Sequence, residues 1–387
     1  MARIRRNRRL GQAVLALAAV AAAAVIVDTF AFGAGGTPRK VRVAAPTPTV
    51  APTSATAAPS PSVTSPTTAA PPSTVAPSTT VPASAAELAV IYAVMPPANG
   101  SSSSRVVALS PTTGQVIRAV ATPSSSDPQG QIEGLYLTAD RSRFYAQVTN
   151  GGTCGSQIET APTSGGTLVP IAGLAASGSN SSTDASSPVA SPDGAQVAWA
   201  ASVCPPPANP SGAYSIIVAD LATGTQHTLN LAGTPGAPLS WGGTGGNKLL
   251  LGNTSQGAET VVTLGPSDQV QATTVLRAPD PGCTLGQASF IPTTNLVAAV
   301  ENCGNQVDAG NQLLELDASN GTLQNRLVTI ASSLGIFDFS FDKSGQWLLY
   351  ETADTNPQLR TAFNVHVLHN GNTTSLPNPN GLTGRQW

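Results

Sequence analysis

Ser187–Cys204 reads SPVASPDGAQVAWAASVC, and beyond a Pro-rich loop Tyr214–Leu231 continues YSIIVADLATGTQHTLNL. Two apolar runs joined at a Pro-Asp-Gly turn, then two more around a Thr-Gly turn, describe four short strands. The phrase returns about every 50 residues between Glu87 and Trp387, and a fixed period of that length marks a repeat architecture. No stretch in it carries a helical period. Four strands per repeat predict the blade of a β-propeller.

Five whole copies follow one another. Gly134–Ile171 opens GLYLTADRSRFYAQV, with Asp140 at its first turn, and Ser187–Leu231 has Asp193-Gly194 there. Ala237–Val275 begins APLSWGGTGGNKLLLGNT, Gly286–Ile330 begins GQASFIPTTNLVAAVENC, and Ile336–Leu376 begins IFDFSFDKSGQWLLYETA. Asp, Asn and Gly crowd the turns because two-residue hairpins need positive φ, which those residues adopt most easily. A sixth copy is split. Leu88–Met95, Val106–Leu109 and Val116–Val120 match the last three strands of a blade, while the C-terminal GLTGRQW places Trp387 where Trp241 and Phe341 end first strands. Sharing one blade between the chain ends would remove the exposed sheet edges of an open ring. The expectation is an all-β, six-bladed propeller of four-stranded antiparallel blades.

SPDGAQVAWAA…YSIIVADLATG resembles the repeat of TolB-like propellers of bacterial envelope proteins, also called WD-repeat-like, and DKSGQWLLYE (Asp342–Glu351) resembles it more loosely. The resemblance spans nearly the whole repeat region and implies a six-bladed propeller used for binding. It does not extend to the α/β domain of TolB itself. Nor does the chain have room for the hydrolase domain that accompanies the same repeat in prolyl oligopeptidase-like enzymes.

Ahead of the repeats the composition changes twice. Arg3, Arg5, Arg6, Arg8 and Arg9 precede an uncharged, Ala- and Val-rich run from Leu10 to Val27. Such a run is just long enough to span a bilayer, and the Arg cluster would hold the N-terminus in the cytoplasm. Residues 1–36 are therefore expected to be a basic tail and transmembrane signal anchor, a single pass with membrane contact over residues 10–33. The rival is secretion after signal-peptide cleavage, for which Ala31-Phe32-Gly33 is a poor cleavage match. Residues 37–85 are Pro, Thr, Ser and Ala in low complexity. They lack the large apolar side chains that offset ordering entropy, which predicts a disordered linker or stalk with a reach on the order of 150 Å. Residues 86–387 form the propeller ectodomain, expected outside the cytoplasm.

Charge excludes one class of partner. Eight of the chain's 18 Lys and Arg precede Glu87 but only one of its 20 Asp and Glu, so the repeats hold 10 basic residues against 19 acidic. An acidic surface repels a phosphate backbone, and no nucleic-acid partner is expected. Chemistry is sparse as well. His227, His366 and His369 are the only His, and i, i+3 on a strand point to opposite faces, so His366 and His369 do not chelate together. The Gly-rich Gly242–Gly246 joins two strands and opens no helix, so it lacks the dipole of a phosphate cradle. The loops Asn302–Asn311 and Asp354–Asn356 carry oxygen ligands in no calcium-binding series. Trp199 and Trp347 fall in second strands, facing sheet packing. No catalytic residue, cofactor or metal ligand is assigned.

Two functions remain open. The first is a non-enzymatic binding or scaffold module for an envelope protein, peptide or glycan. The alternative is a hydrolase or isomerase using carboxylates or a metal at the channel mouth, for which acids such as Asp338, Glu301 or Glu133 would have to converge. Four Cys complete the pattern, and four allow three pairings. The loop before a blade's first strand and the loop between its second and third share one face. Cys283 lies in the former and Cys303 in the latter, within one blade. Cys154 and Cys204 lie in second-to-third-strand loops of adjacent blades. The layout predicts disulfides Cys283–Cys303 and Cys154–Cys204, both on one face, with the ligand expected on that same face of long loops.

Overall fold

The computed structural model describes residues 90–97, 103–124, 130–149, 156–171, 183–203, 215–231, 236–253, 257–304, 310–356, 363–377 and 382–387. The Arg cluster, the apolar run, the linker, Cys154 and Cys204 lie outside the described residues. Among the described residues no helix is long and apolar enough to cross a membrane.

Among the described residues twenty-five strands form six sheets. β1 (Ile91–Met95), β2 (Arg105–Leu109) and β3 (Val116–Thr122) begin the first blade. β4 (Gln131–Leu137), β5 (Arg143–Thr149) and β6 (Ser156–Pro162) follow; the short β7 (Gly166–Thr167) leaves for the first blade and β8 (Val169–Pro170) completes the second. The third blade is β9 (Thr183–Ala190), β10 (Gln196–Val203), β11 (Ser215–Asp220) and β12 (Gln226–Thr228). The fourth is β13 (Pro238–Gly242), β14 (Lys248–Asn253), β15 (Ala258–Leu264) and β16 (Val270–Arg277). The fifth is β17 (Thr284–Phe290), β18 (Leu296–Asn302), β19 (Gln312–Asp317) and β20 (Leu323–Thr329). The sixth is β21 (Leu334–Phe341), β22 (Trp347–Asp354), β23 (Asn364–His369) and β24 (Asn372–Leu376). β25 (Thr383–Gln386) then pairs with β1 and supplies the missing inner strand of the first blade. Apart from β25 and the two-residue β7, which pairs parallel to β3 at the edge of the first sheet, the strands of each blade run antiparallel in sequence order, and the fold is the expected six-bladed propeller.

The hydrophobic pattern explains the stacking. Second strands are buried on both faces, as in Val297–Asn302 of β18 and Leu348–Ala353 of β22, and they read as near-continuous apolar runs. Outer strands such as β16 and β24 are largely exposed and rich in Thr, Gln and Asn. The core is a set of clusters between sheets. Val189, Ala198 and Val218 of one blade pack against Trp241, Leu249 and Val262 of the next. Burying an aliphatic side chain of this size stabilises by about 1.5–3 kcal/mol, which makes blade-on-blade packing the main stabilising term.

The turns differ from the two-residue hairpins expected from sequence. Among the described residues only Asn370-Gly371, both at positive φ, joins its strands that tightly. The inner hairpins are longer and are held by side chains. Ser191 Oγ donates to Asp193 Oδ1 at 2.5 Å and accepts from Gln196 N at 2.9 Å, while Asp193 Oδ1 accepts from Ala195 N. Thr138 and Asp140 repeat the arrangement, with Ser142 N and Arg143 N as donors. In the sixth blade Asp342 accepts from the amides of Ser344, Gln346 and Trp347. The Asp of the repeat is therefore a cap that replaces missing ladder bonds. These hydrogen bonds hold the Asp140 and Asp193 carboxyls below the usual range.

Every inner strand also carries a bulge at one level. Register shifts fall between Ile132 and Gly134, Pro238 and Ser240, Leu285 and Ala288, and Ile336 and Asp338, with matching shifts where β9 meets β10 and β25 meets β1. A bulge bends its strand and re-aims side chains, here around the axis of the ring.

Candidate functional site

The inner strands and their hairpins enclose a cavity of about 590 Å³ at one end of the central channel. Ser187, Leu239 and Gln287, from the bulged level, line it, as do Ser240, Ser289 and Ser340. Tyr136, Trp241, Phe290, Phe339 and Phe341 give it aromatic surface. Its rim is the set of inner hairpins, including Asp140, Arg141, Pro192, Pro292, Asp342 and Lys343. Trp241 and Trp387 do end inner strands beside the channel; Trp241 is fixed by Nε1 donating to Gly246 O at 2.9 Å. Trp199 and Trp347 lie in β10 and β22, Trp199 buried against the preceding sheet and Trp347 stacked on His369.

The cavity lies at the hairpin end of the channel, the end opposite the cross-linked face on which the ligand is expected from loop length. The reason is geometric. The bulges and the large side chains at the ends of the inner strands shape the hairpin end, which the sequence shows only as short, regular turns.

The three acids named from sequence do not converge. Glu133 sits by Gln147 Nε2, 3.3 Å away, and burial and the Asp184 charge raise its carboxyl. Glu301 is fully buried in the fifth blade, where it accepts from Asp280 N at 3.1 Å and pairs with Arg326 Nη1 at 3.3 Å. Asp338 meets a fourth acid instead. It stands opposite Glu351 in register, so the two side chains are cross-strand neighbours. Gln287 Nε2 donates to Asp338 at 2.5 Å. Asp338 is half-buried, and desolvation followed by the Glu351 charge pushes its carboxyl up to about 7. Burial raises Glu351 too, against the opposing pull of Arg385, to which it is salt-bridged. Neither Glu351 nor Arg385 carries a sequence signal: each reads as an ordinary strand residue, and their meeting depends on ring closure.

The other candidates settle into structural roles. His366 stacks on Tyr350 and His369 on Trp347, on opposite faces of β23, so they do not share a metal. His227 Nε2 lies 3.5 Å from Asp268. Asp354 caps Asn356 N at 2.7 Å, and residues 305–309 of the other oxygen-rich loop lie outside the described residues. Gly243, Gly245 and Gly246 all have positive φ, consistent with a hairpin. Cys283 and Cys303 are joined in a disulfide. Glu301 lies beside them, but the bonded sulfurs are not available as thiolate ligands, so the trio is no metal centre.

No protein-family model matches this chain, and no curated protein matches it in sequence. Solved structures do match in fold. One from a nidogen/laminin complex shares 13% identity over 77% of this chain and 98% of that chain, with a TM-score of 0.50. A putative 6-phosphogluconolactonase from Bacteroides uniformis shares 12% identity over 74% and 81%, with a TM-score of 0.43. The β-propeller domain of Swd1 from Myceliophteria thermophila shares 11% over 73% and 83%, at 0.42. Likeness at these identities defines the class, a β-propeller, and nothing finer.

Proposed function

We propose that the chain is a TolB-like, membrane-anchored propeller that acts outside the cytoplasm as a non-enzymatic binding or scaffold module for an envelope protein, peptide or glycan. One observation carries the reading. The two carboxylates on the rim of the cavity, Asp140 and Asp342, are both committed to capping hairpin amides, so the site presents polar and aromatic surface edged by Arg141 and Lys343, and neither rim carboxylate is free to act as an acid or base. The Cys283–Cys303 disulfide supports an oxidising compartment, in keeping with an anchor over residues 10–33. The test is capture from an envelope extract by N-terminally tagged full-length chain, followed by reconstitution with the purified partner. Saturable binding that is lost when residues 381–387 are deleted is the expected result.

The enzyme alternative has its own observation, the Asp338–Glu351 pair with one carboxyl near 7. Turnover of an ester, lactone or glycoside abolished by Asp338→Asn, with no partner retained, would replace the first reading with a hydrolase.

A further inference from the structure

Two non-Gly residues of the inner hairpins on the rim adopt positive φ, Thr293 in the fifth blade and Arg141 in the second, and only Arg141 brings a charge. The inner hairpins of the third and sixth blades place Gly194 and Gly345 at positive φ, one residue after Asp193 and Ser344. The second blade places Arg141 there, after Asp140, at a φ of 61°. A non-Gly residue in this region is strained, and such strain persists where the surroundings or a function hold it. The side chain is as unusual as the backbone. Nη1 and Nη2 are both buried, and neither has a hydrogen-bond partner among the described residues. Burial disfavours the charged guanidinium, opposed only by the charge of Asp342, whose oxygens are occupied by turn amides, and by Tyr92. The same cavity is lined by Trp387, whose buried Nε1 likewise has no partner among the described residues. Lys343 adds a second cation to the rim.

A buried, unpaired guanidinium is destabilising, and the planar fork of Arg matches a carboxylate with two parallel hydrogen bonds. From these groups we infer that the channel cavity binds a carboxylate-bearing ligand, with Arg141 as its counter-ion, Trp387 Nε1 as a further donor, and Trp241 and Phe341 packing against the body of the ligand. This deepens the binding-module reading and rests on it only in taking the cavity as a site to be filled. The shared chemistry is a carboxylate, whose source is either a peptide or an acidic sugar.

The test is thermal unfolding of the full-length chain, at ionic strength fixed with NaCl, with N-acetylphenylalanine against its amide and glucuronate against glucose. Without ligand, Arg141→Gly is expected to melt at or above the wild type, because Gly is the residue the repeat uses there. One of the acids, at saturation, should raise the wild-type Tm by about 2–4 °C, its neutral analogue should not, and Arg141→Gly should abolish the shift. Which acid responds identifies the source. A marked fall in Tm for Arg141→Gly would show that Arg141 serves the fold. Equal shifts for acid and neutral probe, for wild type and variant, or no shift with either acid, would overturn the site. Failure to capture an envelope partner leaves this readout untouched, so the two can fail separately.

Discussion

Arg385, on the last strand of the chain, donates through Nη1 to the carboxylate of Glu351 in the sixth blade, and both side chains are buried. The contact crosses the seam between the last blade and the blade shared by the chain ends. Trp387 N adds a hydrogen bond to Ser340 Oγ at 3.1 Å across the same seam. On the outer side of the ring, Arg118 reaches Thr163 O at 2.9 Å and Ser164 O at 3.2 Å, tying the first blade to the second.

Breaking this pair from one side should be severe. Arg385→Met leaves the Glu351 carboxylate buried without its cation, a loss of about 3–5 kcal/mol. The double variant Arg385→Met/Glu351→Leu should recover most of it, because an apolar pair of similar size needs no desolvation of charge. Urea denaturation of the two variants checks this, and equal losses would assign the effect to packing.

Removing residues 381–387 exposes the edge of β1 and takes away both seam contacts. Each blade relies on its neighbours for burial, so loss of a cooperative transition, or aggregation, is expected. A truncated chain with the wild-type Tm would mean that the inner strand is dispensable.

Asp338 gives the stability a pH dependence of defined sign. Its carboxyl is raised from 3.8 to about 7 in the folded state. The folded chain therefore holds a proton the unfolded chain has released, and this contribution is present below pH 4 and lost as pH rises through 7. Asp338→Asn keeps the acceptor for Gln287 and carries no charge. It should be more stable than the wild type at pH 8, by about 1–3 kcal/mol after discounting for solvent screening, and the gap should close towards pH 4. Denaturation curves at the two pH values decide it.

Non-reducing peptide mapping should return a Cys283–Cys303 peptide. Replacing both with Ser should destabilise by roughly 2–4 kcal/mol, the usual range for a loop of this size. The pairing of Cys154 with Cys204 is the corresponding expectation for the remaining two cysteines, and a cross-link from Cys154 to Cys283 or Cys303 would contradict the blade layout.

How much of this was legible in the sequence depends on range. The repeat announced blades because strand periodicity and turn chemistry are local, and Asp193 and Asp140 sit where the turns needed them. The split blade was legible because GLTGRQW ends like other inner strands. The cavity was not. Its lining comes from inner strands far apart in sequence, and the bulges that aim Ser187, Leu239 and Gln287 inward leave no mark in composition. Arg141 did carry a signal, an Arg where the copies at Gly194 and Gly345 have Gly, but the meaning appears only once φ and burial are known.

The pairing of Tyr92 with Gln386 has a last consequence. In the other blades the inner strand runs into its neighbour through a short hairpin, as Ala190 does into Gln196 across the Ser191 turn. In the first blade that hairpin is simply cut, leaving Trp387 and Val90 side by side at the cavity end. Topologically the propeller is a circle with an arbitrary nick. A circular permutant of residues 90–387 that joins Trp387 to Val90 through a five-residue turn, and opens instead at residues 254–256, should fold into the same six blades and carry its termini away from the cavity.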